Sequence, residues 1–169
     1  GVFKGVRDLV ATGYLPQMPK IIGVQAEGSA YLHDAWANDE DVLAKPPIAA
    51  NTVADSISAG LPRDRIKAMT AVRQTNGAFI TVTDEQILAA IPTLAQGSGV
   101  FAEPASAATY AGFLKAVQTG LIGPDARVAL ILTGSGLKDV ASAMKSVGQA
   151  VTIPAEITAV ERVFNKLGV

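Results

Sequence analysis

The chain has no cysteine in its 169 residues, which excludes a disulfide framework and any thiolate-bound metal. It has one histidine, His33, so a histidine-rich metal centre is excluded as well, and no metal is expected. Charge is also sparse, at 17% of residues with a formal net charge of −1. No segment collects Lys and Arg, so electrostatics favours no nucleic-acid partner. Long hydrophobic runs are missing too. None reaches the roughly 18–20 residues that a bilayer span needs, so the chain reads as soluble, with no membrane partner. With no targeting segment visible, the cytoplasm is the expected compartment.

What is present is apolar. Hydrophobic residues make up 49% of the chain and mean hydropathy is +0.32. Such a balance implies either a large core or apolar surface that expects a partner. A chain of this length can bury a real core as one domain.

The pattern alternates strand and helix. FKGVRDLVAT (3–12) spaces Phe3, Val6, Leu9 and Val10 as a helix, and Gly13 stops it. PKIIGVQAE (19–27) reads as a buried strand and SAYLHDAW (29–36) as a short helix. Residues 37–61 show no clear period and form a long excursion with at most short helices, a kind of segment that usually carries function or disorder. A helix is predicted over 62–77, with Pro62 at its first position and Gly77 at its end, and AFITVT (78–83) is a strand. Thr83 and Gln86 fit a capping box that opens a helix over 84–96. Further strands are predicted at 99–103, 127–133 and 150–154, and further helices at 104–120, 136–148 and 155–168. The best strands are apolar throughout, as strands covered on both faces are. The expected class is therefore α/β: a three-layer parallel sheet of four or five strands with helices on both faces. The chain starts at Gly1, and no strand precedes its first helix. Residues 1–169 are therefore expected to be the C-terminal portion, the large domain, of something longer.

Ligands of open parallel sheets gather at the C-terminal strand ends. QAEG (25–28), the 51–57 loop, EPASAA (103–108) and TGSG (133–136) fall there. TGSG follows a strand and precedes a helix, yet a dinucleotide fingerprint needs a third glycine where Asp139 stands, and a P-loop needs a different spacing. A tight turn with positive φ at Gly134 or Gly136 accounts for the glycines. It does not account for the Thr133 hydroxyl where an apolar strand surfaces. In EPASAA and beyond, the small residues Ala105, Ser106, Ala107, Ala108, Ala111 and Gly112 either let the helix sit close to the sheet or leave room for a flat ligand.

In this order, FKGVRDL (3–9), PKIIGVQAEGSA (19–30), TVADSI (52–57), VTDEQIL (82–88), GVFAEPASAATYAG (99–112) and TGSGLKD (133–139) resemble the C-terminal half of threonine synthases and their relatives. These are pyridoxal-phosphate enzymes of fold type II, the tryptophan synthase β-like group. The resemblance implies pyridoxal 5′-phosphate as cofactor of the intact parent, with the Thr133 hydroxyl on the pyridine nitrogen and Gly134 letting the backbone pass the ring. Glu103, Pro104, Ala105 and Ser106 would line the cofactor's far side, and Asp55 and Ser56 would sit in a substrate-side loop. Ser135 stands where relatives often carry His or Asn. The family's cofactor-bearing lysine, its asparagine partner and its phosphate-binding glycine loop would lie before Gly1. No catalytic residue is therefore expected within this chain, which alone would be inactive, and Lys138 reads as a packing or surface-pairing residue.

The activity implied is that of a lyase of amino-acid biosynthesis, threonine synthase, converting O-phospho-L-homoserine and water to L-threonine and phosphate. The alternatives are a threonine or serine dehydratase, another β-replacement enzyme, or a non-catalytic module of the same fold. Implied partners are a small amino-acid substrate, the N-terminal part of the same enzyme, and a second copy in a homodimer.

Overall fold

The computed structural model describes residues 1–167. Two strands, β1 (Ile22–Ala26) and β2 (Ala78–Val82), pair in parallel, with Val24 opposite Ile80 and Ala26 opposite Val82. They are the whole of the sheet among the described residues. Among the described residues, seven α-helices complete the mixed α/β fold: α1 (Val2–Ala11), α2 (Tyr31–Ala37), α3 (Arg65–Gln74), α4 (Asp84–Ser98), α5 (Pro104–Gln118), α6 (Val140–Val147) and α7 (Ile157–Leu167).

Strand alternation sorts the side chains between two clusters. Val24, Ala26 and Val82 pack with Ile87, Ile91 and Leu94 of α4 and with Ala107, Ala108 and Ala111 of α5. Phe79 packs with Tyr31, Leu32 and Ala35 of α2 and with Met69 and Val72 of α3. α5 comes close because its contact face is small: a Cβ at Gly112 would lie 2.5 Å from Val24 Cγ2. Most of the small residues that follow EPAS thus serve helix–sheet packing.

Local signals explain where the helices begin and end. The Thr83–Gln86 capping box forms with both hydrogen bonds, and α4 stops at Gly99 with φ +73°. Pro104 opens α5, which ends just before Gly120 with φ +74°. Gly13 closes α1 with φ +78°. Pro62 lies outside α3, which starts at Arg65, whose guanidinium donates to the Val42 and Pro62 carbonyls. Gly77 is dictated by strand entry and not by a helix stop, since a Cβ there would lie 1.9 Å from the Ile21 carbonyl oxygen.

The excursion after α2 is pinned rather than loose. Tyr31 donates its hydroxyl toward the Val42 and Lys45 carbonyls, and backbone bonds tie Asn51 to Gly28 and Ile48 to Gly60.

Three expected strands do not form. Residues 99–103 contribute only an antiparallel bridge from Ala102 to Ser135, and residues 127–133 and 150–154 are irregular. Val128 and Ile131 are about half exposed and have no strand beside them. A strand needs a neighbour to take its backbone groups, and among the described residues no strand flanks these segments. The four- or five-stranded sheet is therefore reduced here to two strands. The closing helix forms up to Leu167, and residue 168 of its expected span lies outside the described residues.

Candidate cofactor site

A cavity of about 160 Å³ is lined by Asp55, Ser56, Glu103, Pro104, Ala105, Lys138 and Asp139. It gathers residues from two of the segments expected at the strand ends, joined by Lys138 and Asp139 from just beyond TGSG, while Ser106, Thr133 and Gly134 do not line it.

The 51–57 loop reaches it because two anchors hold the loop from below. Ser29, just past β1, is fully buried, and its hydroxyl accepts the Ala59 N–H at 2.9 Å and donates toward the Ile57 carbonyl at 3.2 Å. Asp84, just past β2, accepts the Thr52 hydroxyl and the Val53 N–H. Gly28 lets the loop pass close, since a Cβ there would lie 1.8 Å from the Asn51 carbonyl oxygen. Asp55 and Ser56 then occupy a short 3₁₀ turn, Asp55–Ile57, at the cavity's edge. Neither Ser29 nor Asp84 was singled out from the sequence as a positioning group. Asp84 was hidden because the capping box already explains the polar residues around it.

The other wall is the start of α5. Glu103 occupies the N-cap position and is 5% exposed, with its carboxylate 3.0 Å from the Lys138 ammonium. Lys138 pairs, as its reading allowed, but with a buried carboxylate thirty-five positions away. No local pattern signals such a pair. Among the described residues no buried side-chain polar atom lacks a partner.

The TGSG turn docks on this wall. Glu103 donates its N–H to the Gly134 carbonyl, and Gly136 donates its own to the Phe101 carbonyl, both at 3.0 Å. Neither Gly134 nor Gly136 has a positive φ, which overturns the tight-turn explanation of these glycines. Their reason is space. A Cβ on Gly134 would lie 1.9 Å from Glu103 Oε1, and one on Gly136 would lie 2.4 Å from the Phe101 ring. Ser135 accepts the Leu137 N–H and starts a 3₁₀ turn, Gly136–Lys138. Asp139, the residue that defeats the dinucleotide fingerprint, caps α6 by accepting the Ser142 N–H at 3.0 Å. That hydrogen bond holds its carboxyl below the ordinary aspartate range.

Thr133 is exposed, and its Oγ1 lies 3.3 Å from Ser106 Oγ. Ser106 is 1% exposed and also accepts the Gly134 N–H at 2.7 Å. The turn therefore carries an exposed threonine next to the Gly134 carbonyl that docks on Glu103, a residue of the cavity wall.

Residues 1–134 match the family model described as "Pyridoxal-phosphate dependent enzyme". The chain belongs to that family. Its cofactor is pyridoxal phosphate. The matched span takes in the 51–57 loop, the start of α5 and the Thr133–Gly134 dipeptide. Among relatives, the chain is 37% identical over 158 residues to a threonine synthase of Mycobacterium leprae, covering 94% of this chain and 41% of that protein. It is 33% identical over 167 residues to one of Methanocaldococcus jannaschii, covering 98% and 41%. With one of Methanosarcina acetivorans the figures are 38% over 166 residues, 98% and 41%. The chain thus spans about two-fifths of the length of the relatives it matches.

The residues present are compatible with an aromatic nitrogen as ligand. A neutral hydroxyl facing open space suits an aromatic nitrogen, and the lone cation of the cavity, Lys138, is already engaged by Glu103. Among the described residues, no group of three or more His, Asp or Glu side chains is placed to hold a metal, and no helix is long and apolar enough to cross a membrane.

Proposed function

We propose that this chain forms the ring-nitrogen side of the cofactor site in a threonine synthase-like enzyme, the intact protein converting O-phospho-L-homoserine and water to L-threonine and phosphate. The observation that carries the reading is the exposed Thr133, its hydroxyl held at Ser106, in the turn that docks on the cavity wall through the Glu103 N–H and the Gly134 carbonyl. When bound, pyridoxal phosphate supplies an electron sink for charge that develops next to the substrate's amino carbon.

The chain's own residues hold and shape that site. Thr133 would hold the ring nitrogen as a neutral partner, which would leave that nitrogen largely unprotonated, where a carboxylate would favour the charged form. Gly134 keeps the turn tight against Glu103 so that Thr133 stays aimed. Pro104 and Ala105, with Ser106 behind them, would hold the ring's far side, and Asp55 and Ser56 would face the incoming amino acid. The cofactor-bearing lysine and the phosphate loop belong to the larger share of the enzyme, for which the relatives' extra length leaves room. In the intact protein, a soluble cytoplasmic homodimer, residues 127–133 join a wider parallel sheet with helices on both faces, and the half-exposed Val128 and Ile131 become covered.

The test is a substitution series at Thr133 in the full-length protein, read by equilibrium binding of pyridoxal phosphate to the apoprotein. Removing the hydroxyl deletes one hydrogen bond in a partly dry site, worth on the order of 1–3 kcal/mol. Thr133→Ala should therefore weaken binding about tenfold or more, and Thr133→Ser should bind like the wild type. Equal affinity for all three would refute the assignment.

A further inference from the structure

The Asp55–Ile57 turn at the cavity's edge is fastened at both ends by side chains, and each fastener comes from the exit of one strand. β1 and β2 run in parallel, so Ser29 and Asp84 emerge at the same end of the strand pair. Ahead of the turn, Asp84 accepts the Thr52 hydroxyl on one carboxylate oxygen and the Val53 N–H on the other. Thr52 Oγ1 in turn accepts the Ala54 N–H at 3.2 Å. Behind the turn, the fully buried Ser29 hydroxyl accepts the Ala59 N–H and donates toward the Ile57 carbonyl.

Packing alone does not orient this turn. Asp55 and Ser56 are exposed and Ile57 is half-buried. The Ile57 N–H donates to the Ala54 carbonyl and the Ser58 N–H to the Asp55 carbonyl, which closes the turn but leaves its direction to whatever holds its flanks. A loop that orders only on binding lowers affinity by the cost of ordering it, whereas a loop fastened beforehand does not. The fasteners therefore decide where Asp55 and Ser56 stand before any ligand arrives.

We propose that Asp84 and Ser29 are positioning residues that preset the Asp55–Ser56 turn for an amino-acid ligand. They act through the loop and touch neither ligand nor reacting atoms. This inference rests on the reading of Asp55 and Ser56 as the ligand-facing pair given above. Its consequence is selective. The start of α5 and the TGSG turn are held to each other by their own contacts, Glu103 to Gly134 and Gly134 to Ser106, and neither fastener takes part in them. Loss of a fastener should therefore weaken amino-acid binding and leave the cofactor's own affinity unchanged.

The experiment uses the full-length protein loaded with pyridoxal phosphate and titrates L-threonine, read by the absorbance of the bound cofactor. L-Threonine is the product of the reaction proposed above and the substrate of a threonine dehydratase, so the readout does not hinge on which reaction the protein performs. Cofactor affinity is measured beside it on the apoprotein. Asp84→Ala and Ser29→Ala should each weaken L-threonine binding about tenfold, with cofactor affinity unchanged. Thr52→Val removes the first contact from the loop's side, should act in the same direction, and covers the case in which Asp84→Ala fails to fold. Asp84→Asn should bind like the wild type. Its carbonyl can accept the Val53 N–H, and its amide can donate to Thr52 Oγ1, which keeps a lone pair beyond the one Ala54 uses. Replacing both Asp55 and Ser56 with alanine should weaken binding, and adding Asp84→Ala to that pair should cost nothing more. If L-threonine leaves the wild type unperturbed, or binds the Asp55/Ser56 double variant as well as the wild type, the turn does not face the ligand and both readings fall. If that double variant binds weakly while Asp84→Ala, Thr52→Val and Ser29→Ala bind as the wild type, only the positioning role is overturned. Equal losses of amino-acid and cofactor affinity, or an Asp84→Asn variant no better than Asp84→Ala, would overturn it as well.

Discussion

At the scale of single residues, the glycines of TGSG carry an unexpected lesson. Their spacing suggests a turn that needs left-handed backbone, yet both lie at negative φ and are chosen for contact. Gly134 leaves room for the Glu103–Lys138 pair and Gly136 for the Phe101 ring. Gly134→Ala should therefore lower the chain's stability by on the order of 1–3 kcal/mol through overpacking. Gly123, where an added Cβ would meet nothing within 4 Å, should tolerate the same change. Thermal unfolding of the two variants checks this, and equal melting temperatures would disprove the contact explanation. Residue chemistry was otherwise legible where it is local. The Thr83–Gln86 box, Pro104 and the stops at Gly13, Gly99 and Gly120 depend on neighbours within a turn. Lys138–Glu103, Ser29–Ala59 and Asp84–Val53 join residues about thirty positions apart, and nothing in a local pattern announces them.

Elements were harder to read than residues, for a physical reason. A helix satisfies its own backbone, so apolar spacing and caps nearly suffice, and all the expected long helices are found, with shifted starts for α3 and α6. A strand is completed by another strand. The β-branched runs at 127–133 and 150–154 look like β1 and β2, but they find no partner among the described residues. The start of α6 offers a test of a single cap. Asp139 accepts the Ser142 N–H, and its carboxyl is held below the ordinary range chiefly by that bond. A carboxyl depressed in the folded state stabilises above its unfolded pKa, and that stabilisation is lost as pH falls through the folded value. Asp139→Ala should therefore cost stability at pH 7, while Asp139→Asn should keep much of it through its side-chain carbonyl. As pH falls through the folded value and the carboxyl protonates, the gap between the wild type and the alanine variant should narrow. Urea unfolding at pH 7 and in acid decides it, and a pH-independent gap would show that the charge is irrelevant.

For the molecule as a whole, the composition's apolar excess has a visible destination. α1 buries none of its side chains, and Val140, Met144 and Val147 of α6 are more than half exposed. Ile157 and Phe164 of α7, with Val128 and Ile131, extend the list of uncovered apolar side chains. Exposed apolar surface on this scale drives association. The 169-residue chain on its own should self-associate at micromolar concentration, as sedimentation velocity would detect; a monomer at about 100 μM would show that these faces need no cover. The cavity's walls at Asp55–Ser56 and Glu103–Ala105 were legible as segments, because each stands in a quoted motif along the chain. How they are assembled was not, because the anchors at Ser29 and Asp84 act only once the chain is folded.

The central claim is that Thr133 faces the cofactor's ring nitrogen, and a crystal structure of the full-length protein with pyridoxal phosphate bound tests it most directly. The account predicts Thr133 Oγ1 within about 2.6–3.2 Å of that nitrogen, with Ser106 Oγ on the far side of Thr133 and Asp55 and Ser56 at the mouth of the same pocket. A ring nitrogen paired with a carboxylate, or lying beyond hydrogen-bond reach of Thr133, would contradict it.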